Sequence, residues 1–203
     1  IFSIKVNFRN KMKAKSKIGL FFGSSNPIHT GHLILASYFA EYSDLNEIWF
    51  VISPQNPFKE KTSLLTDYHR LELVNRAIEE DARFRSCDIE FKLPLPSYTI
   101  DTLTALQNKY PQKEFSLIMG SDNLESFHKW KNYEQILNSF SIYVYPRPDF
   151  NGGSLKNNTS VRWVDAPQIE ISSTNIRNAK KKKKNMNYFL PKKVYSYIQE
   201  MHF

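Results

Sequence analysis

One cysteine, Cys87, stands among 203 residues, so no internal disulfide can form. A reducing, cytoplasmic setting is the expectation. No run of about 18 apolar residues occurs, and the cationic start lacks the apolar stretch of a secretory signal, so no membrane partner is expected. Two common phosphate loops are also missing: neither Gly-x4-Gly-Lys-Ser/Thr nor Gly-x-Gly-x-x-Gly is present. Acidic residues are absent from the first 17 positions, which hold Lys5, Arg9, Lys11, Lys13, Lys15 and Lys17.

The formal charge of +8 is uneven. Those six cations and the run Lys180 to Lys184 account for eleven positive charges, and setting them aside leaves about −3. A nucleic-acid groove spreads its charge over the fold, so no nucleic-acid partner is expected, and the lysine run reads as a solvated loop. Apolar residues make up 41% and aromatics 14%, enough to bury a core and to argue against disorder away from the ends. The simplest organisation is one domain over residues 17–203. Residues 1–16 form a basic extension expected to be disordered, with Met12 a candidate natural start.

Short apolar runs alternate with helical patterns. Ile18 to Phe22 predicts a buried strand, followed by a helix carrying Leu33, Ile34, Leu35, Ala36, Phe39 and Ala40. Ile48 to Ile52 predicts a second strand, and Tyr68 to Ile78 a second helix with Leu71, Leu73, Val74 and Ala77 inward. Phe91 to Leu93 is expected to close a third strand, before a helix over Ile100 to Leu106. Phe115 to Met119, Ser141 to Tyr145 and Val161 to Val164 predict further strands. Two C-terminal helices are expected from about Ser173 and Pro191. This alternation implies an α/β fold, a parallel sheet with helices on both faces, whose ligands bind beyond the carboxyl ends of the strands.

The first strand runs into Gly23-Ser24-Ser25-Asn26-Pro27-Ile28-His29-Thr30-Gly31-His32. Gly23 permits a sharp turn and Gly31 removes a side chain from the path into the helix. A helix N-terminus offers free N–H groups and partial positive charge to phosphate. His29 and His32, three apart, fall on one side of that turn and can donate to phosphate oxygens as charge builds up. No cysteine cluster or third histidine stands nearby to make them a metal site. In Ile171-Ser172-Ser173-Thr174-Asn175-Ile176-Arg177 the hydroxyls suit a helix cap. A cap does not require Arg177, which sits one turn past Ser173.

The His29 to His32 segment resembles the signature of the nucleotidyltransferase superfamily built on a Rossmann-like sheet, and Ser172 to Arg177 resembles that superfamily's C-terminal phosphate motif. Further segments are similar to bacterial nicotinate mononucleotide adenylyltransferases: Ser97-Tyr98-Thr99-Ile100-Asp101-Thr102-Leu103, Pro54-Gln55-Asn56-Pro57-Phe58-Lys59, Gly120-Ser121-Asp122 with Trp130, and Arg147-Pro148. The resemblance covers nearly the whole chain from Lys17 onward and implies a Rossmann-like sheet with a small C-terminal helical element.

It also implies adenylyl transfer from ATP to nicotinate mononucleotide with Mg2+. His29, His32 and Arg177 would be catalytic. The ATP site would include those three with Gly23, Ser24, Gly120, Asp122, Arg147, Ser172, Ser173 and Thr174. Lys59, Ser97, Tyr98, Thr99 and Trp130 would meet the mononucleotide, and no protein side chain would ligate a metal. Where the family usually has Gly-Gly-x-Phe-Asp-Pro this chain has Phe22-Gly23-Ser24-Ser25-Asn26-Pro27, losing one glycine and the aromatic at Ser25, and it departs again at Phe58 for a common histidine and at Asp149 for a common glycine. Side-chain identity does not decide nicotinate against nicotinamide, nor monomer against homodimer. A phosphopantetheine-type acceptor is the nearest alternative.

Overall fold

The computed structural model describes residues 15–54 and 64–203. Six strands, β1 (Ser16–Gly23), β2 (Glu47–Ile52), β3 (Phe84–Cys87), β4 (Lys113–Gly120), β5 (Ser141–Tyr145) and β6 (Val161–Trp163), form one sheet in the order β3-β2-β1-β4-β5-β6. Every pairing is parallel. The helices are α1 (Thr30–Tyr42), α2 (Asp67–Ile78), α3 (Thr99–Lys109), α4 (Ser121–Glu125), α5 (Tyr133–Ser139), α6 (Ser173–Lys181) and α7 (Lys192–Glu200).

The central strands carry continuous apolar runs, as Leu20 to Phe22 in β1 and Leu117 to Met119 in β4, because both faces of the sheet are covered. Side chains alternate between two cores with period two. Phe50 and Ile52 of β2 join Leu35, Leu73, Val74, Val194 and Ile198 from α1, α2 and α7. Trp49 and Val51 face the other way, onto Ile100, Leu103, Leu106 and Ile136 from α3 and α5. A fully buried Leu or Ile is worth about 1.5–3 kcal/mol, so these two layers hold β1 and β4 rigid at the centre.

The structure corrects several expectations. The third strand is Phe84–Cys87, not one closing at Phe91 to Leu93; Phe91 lies in a 3-10 turn, Ile89–Lys92. β3 is an edge strand containing Arg85 and Ser86, so it lacks the apolar run that marks β1 and β2. α4 and α5, five and seven residues long, are too short to show a helical period. The β6 strand ends at Trp163, one residue early. In α1 Ile34 is exposed, and in α2 Arg70 is fully buried beside Leu73 and Val74, while Leu71 and Ala77 are only partly covered. The lysine run is not wholly loop. Lys180 and Lys181 finish α6, where cations favour the negative helix end. Residues 1–14 of the expected extension lie outside the described residues, and β1 begins at Ser16.

Candidate active site

The chain moves outward in one direction from β1 to β3 and in the other from β4 to β6, so the β1–β4 boundary is a topological switch point. Crossovers leave this boundary in opposite directions, which opens a crevice beyond the strand ends. β1 ends there at Gly23 and β4 at Gly120. Both line a cavity of about 420 Å³, together with Ser24, His29, His32, Asp122, Trp130 and Arg147. Ser172, Ser173, Thr174 and Arg177 line it from the opposite side.

His29 is the N-cap of α1 and is 4% exposed. Its ring lies 3.7 Å from that of His32, with 31° between the planes. The His29 backbone N–H donates to His32 Nδ1 at 3.2 Å. With Nδ1 an acceptor, neutral His32 carries its proton on Nε2, the donor form that a phosphate oxygen requires. Gly31 makes the arrangement possible, since a Cβ there would lie 3.1 Å from His29 Nδ1 and 3.2 Å from Ile169 Cγ2. Burial, then the positive charge of Arg147, lowers the His29 pKa from 6.5 to about 4. His29 is therefore neutral at pH 7.

The second motif is bound to this loop across 146 residues of sequence: Ser173 Oγ donates to Pro27 O at 2.9 Å. Arg177 Nη1 donates to Asn26 O at 2.8 Å and Nη2 to Thr174 Oγ1 at 3.2 Å. Ser172 caps α6 by accepting from the Asn175 N–H at 3.1 Å. Two helix starts, those of α1 and α6, thus meet at one cavity edge and bring N–H groups and an arginine to the same place.

On the β4 side Gly120 is required by close approach, because a Cβ would lie 2.8 Å from Arg147 Cγ and would strike Asp122 Oδ1. Asp122 Oδ1 and His29 Nδ1 are both buried without a hydrogen-bond partner. Buried polar atoms are normally paired, so two orphans on one cavity mark a surface shaped for a polar ligand. Trp130 is half-buried and packs on Phe127 with ring centroids 4.9 Å apart.

Ser97, Tyr98 and Thr99 do not line this cavity; they form the approach to α3 and its first residue. They are nevertheless joined to its rim. Lys131, next to Trp130, sits 4.5 Å over the Tyr98 ring and donates to Asp101 Oδ2 at 3.1 Å. Lys59 lies outside the described residues.

Two supporting residues escaped the sequence reading. Arg70, with no exposure, donates to Ser24 O and Ser53 O at 2.8 Å each and to Leu65 O at 3.1 Å, and pairs with Asp67. It joins the ends of β1 and β2 from beneath. Its only sequence signal is a cation on the apolar face of α2. Glu90, 2% exposed, accepts from Thr102 Oγ1 at 2.8 Å. Burial raises its pKa, while hydrogen bonding from Thr102 opposes the rise. This buried carboxylate links the β2 end of the cavity to the start of α3. No spacing in the sequence announces it.

Fold and site together define a nucleotidyltransferase, and the model of the cytidylyltransferase-like family matches residues 20–179. A protein of Cytophaga hutchinsonii named "Probable nicotinate-nucleotide adenylyltransferase" is 55% identical over 178 residues, 88% of this chain and 93% of that protein. A protein of the same name from Bacteroides thetaiotaomicron is 50% identical over 186 residues, 92% of each. The chain belongs to the nicotinate-nucleotide adenylyltransferase family. Among solved structures, Plasmodium falciparum nicotinic acid mononucleotide adenylyltransferase complexed with NaAD aligns with a TM-score of 0.76. It covers 93% of this chain and 97% of its own at 19% identity, a likeness of fold. No helix among the described residues is long and apolar enough to cross a membrane.

Proposed function

We propose that this chain transfers the adenylyl group of ATP to nicotinate mononucleotide, forming nicotinate adenine dinucleotide and pyrophosphate. A phosphate oxygen of the mononucleotide attacks the α-phosphorus, and the bond from that phosphorus to the bridging oxygen of pyrophosphate breaks. The nucleophile is already an anion at neutral pH, so no general base is needed. Catalysis is then positioning and electrostatic stabilisation.

The observation that carries this reading is the meeting of the histidine loop and the start of α6 on a cavity with two orphaned polar atoms. His32 donates from Nε2 to the α-phosphoryl oxygens. His29, Ser173 and Arg177 hold the outer phosphates, with the N–H groups at the start of α1. Gly120 and Asp122 meet the nucleoside, Asp122 Oδ1 accepting a hydroxyl proton, and Arg147 lies on the adenine side. Trp130 stacks on the pyridine ring, and Ser97, Tyr98 and Thr99 hold the loop beside it.

Among the described cavity residues Asp122 is the sole carboxylate, and no group of three His, Cys, Asp or Glu side chains converges. That donor set fits an Mg2+ ion carried on the phosphates of ATP, where it neutralises charge on the departing pyrophosphate. The buried free thiol of Cys87 fits a reducing cytoplasm.

Pyrophosphate release from Mg-ATP tests the reading, with nicotinate mononucleotide, nicotinamide mononucleotide and phosphopantetheine compared as acceptors. Preference for the first is expected. Preference for the amide would reverse the acceptor and keep the mechanism; turnover with phosphopantetheine alone would remove the pyridine site. His32→Ala should lower turnover by about 10² to 10³, the usual cost of one preorganised donor. Full rate in that variant would take His32 out of the mechanism.

A further inference from the structure

A second cavity, of about 560 Å³, lies behind the first, between α6 and α7. Its floor is apolar, built from Ile176, Leu190, Tyr195 and Ile198, with Met186 and Phe203 at the sides. Its edge carries Arg177, Lys180, Lys181 and Lys184, and among the described residues no Asp or Glu side chain lines it. An ordinary solvated lysine face is interspersed with acids and stands over polar ground. Here four cations border a greasy hollow large enough for a small molecule.

Lys180 is the most committed of the four. Its Nζ reaches Ile198 O at 3.5 Å, which draws the stem of the side chain across the apolar floor. Burial lowers its pKa, as desolvation does for a cation. Lys181 and Lys184 are exposed and line this cavity but not the first, whereas Arg177 lines both.

We infer that this cavity binds a single-chain amphipathic anion, its apolar tail on Ile176, Leu190, Tyr195 and Ile198 and its phosphate or carboxylate head among Lys180, Lys181 and Lys184. Charge complementarity fixes the head and the apolar floor fixes the tail. Neither alone accounts for the lining. The inference is independent of adenylyl transfer, since it is read as binding without nucleotide.

Isothermal titration of the whole protein with monomeric decyl phosphate is the test. Butyl phosphate supplies the head without the tail, and decanol the tail without the charge. Saturable binding at one site is expected, at least tenfold tighter than either control. The double variant Lys181→Ala/Lys184→Ala, altered only at exposed positions, should bind decyl phosphate about tenfold more weakly and keep wild-type adenylyl transfer. Unchanged binding in that variant would overturn the proposal, because the ligand would then sit in the nucleotide cavity. Butyl phosphate binding as tightly as decyl phosphate would also overturn it. So would sedimentation with phosphatidylglycerol vesicles without binding of monomeric decyl phosphate, which would point to a charged surface and not a cavity.

Discussion

His29 offers a quantitative check on the active-site electrostatics. Burial and Arg147 hold its folded pKa near 4, against 6.5 for the ordinary side chain. Above pH 6.5 the imidazole is neutral in both folded and unfolded chains, and its titration costs nothing. Between 6.5 and 4 the unfolded chain takes up the proton and the folded chain refuses it, so stability falls as pH falls. Below 4 both forms are protonated and the loss stops growing. One pKa unit corresponds to about 1.4 kcal/mol, so the full loss is about 3 kcal/mol. The measurement is urea unfolding of wild type and His29→Gln at several values from pH 7.5 to pH 4. Other groups titrate alike in both proteins, so the difference between them isolates His29. That difference should shift by about 3 kcal/mol in favour of the variant as pH drops. NMR titration of the ring should place its midpoint near 4, and bound Mg-ATP should move it upward, since phosphate favours imidazolium. A stability difference independent of pH, with a midpoint near 6.5, would refute the claim that His29 is buried and neutral.

Arg70→Met removes the donor shared by Ser24, Ser53 and Leu65 and strands Asp67. Asp67 is half exposed and water can take it up, so the cost comes from the carbonyls left without a donor, about 1–3 kcal/mol for each that stays buried, with a raised KM for ATP; a cost below about 1 kcal/mol in chemical denaturation would show that the arginine does not hold the loops. Trp130→Leu should raise KM for nicotinate mononucleotide about tenfold and leave KM for ATP within about twofold, as loss of ring stacking predicts. Equal effects on both substrates would mean general loosening of the site. Glu90→Leu leaves the buried Thr102 hydroxyl without its carboxylate and should cost about 1–3 kcal/mol, Glu90→Gln clearly less. Equal costs in thermal unfolding would show that the hydrogen bond is not what matters.

Much of this protein was legible before any coordinates. β1, β2, β4 and β5 are buried on both faces, and a continuous apolar run is the local mark of that position. The histidine loop could be read because a strand, a turn and a helix follow one another within about a dozen residues, so that phosphate chemistry is encoded by neighbours in sequence. Ser172 to Arg177 was legible as a cap with an arginine one turn on. What sequence could not supply was contact between distant residues. That Ser173 and Arg177 bind the backbone of Pro27 and Asn26 depends on the order in which the strands assemble. The lowered pKa of His29 depends on burial and on Arg147 arriving from β5, neither of which is local. In the sequence Arg70 and Glu90 are two charges among many. Only packing places them under the site, where a buried charge must find its partners across the fold.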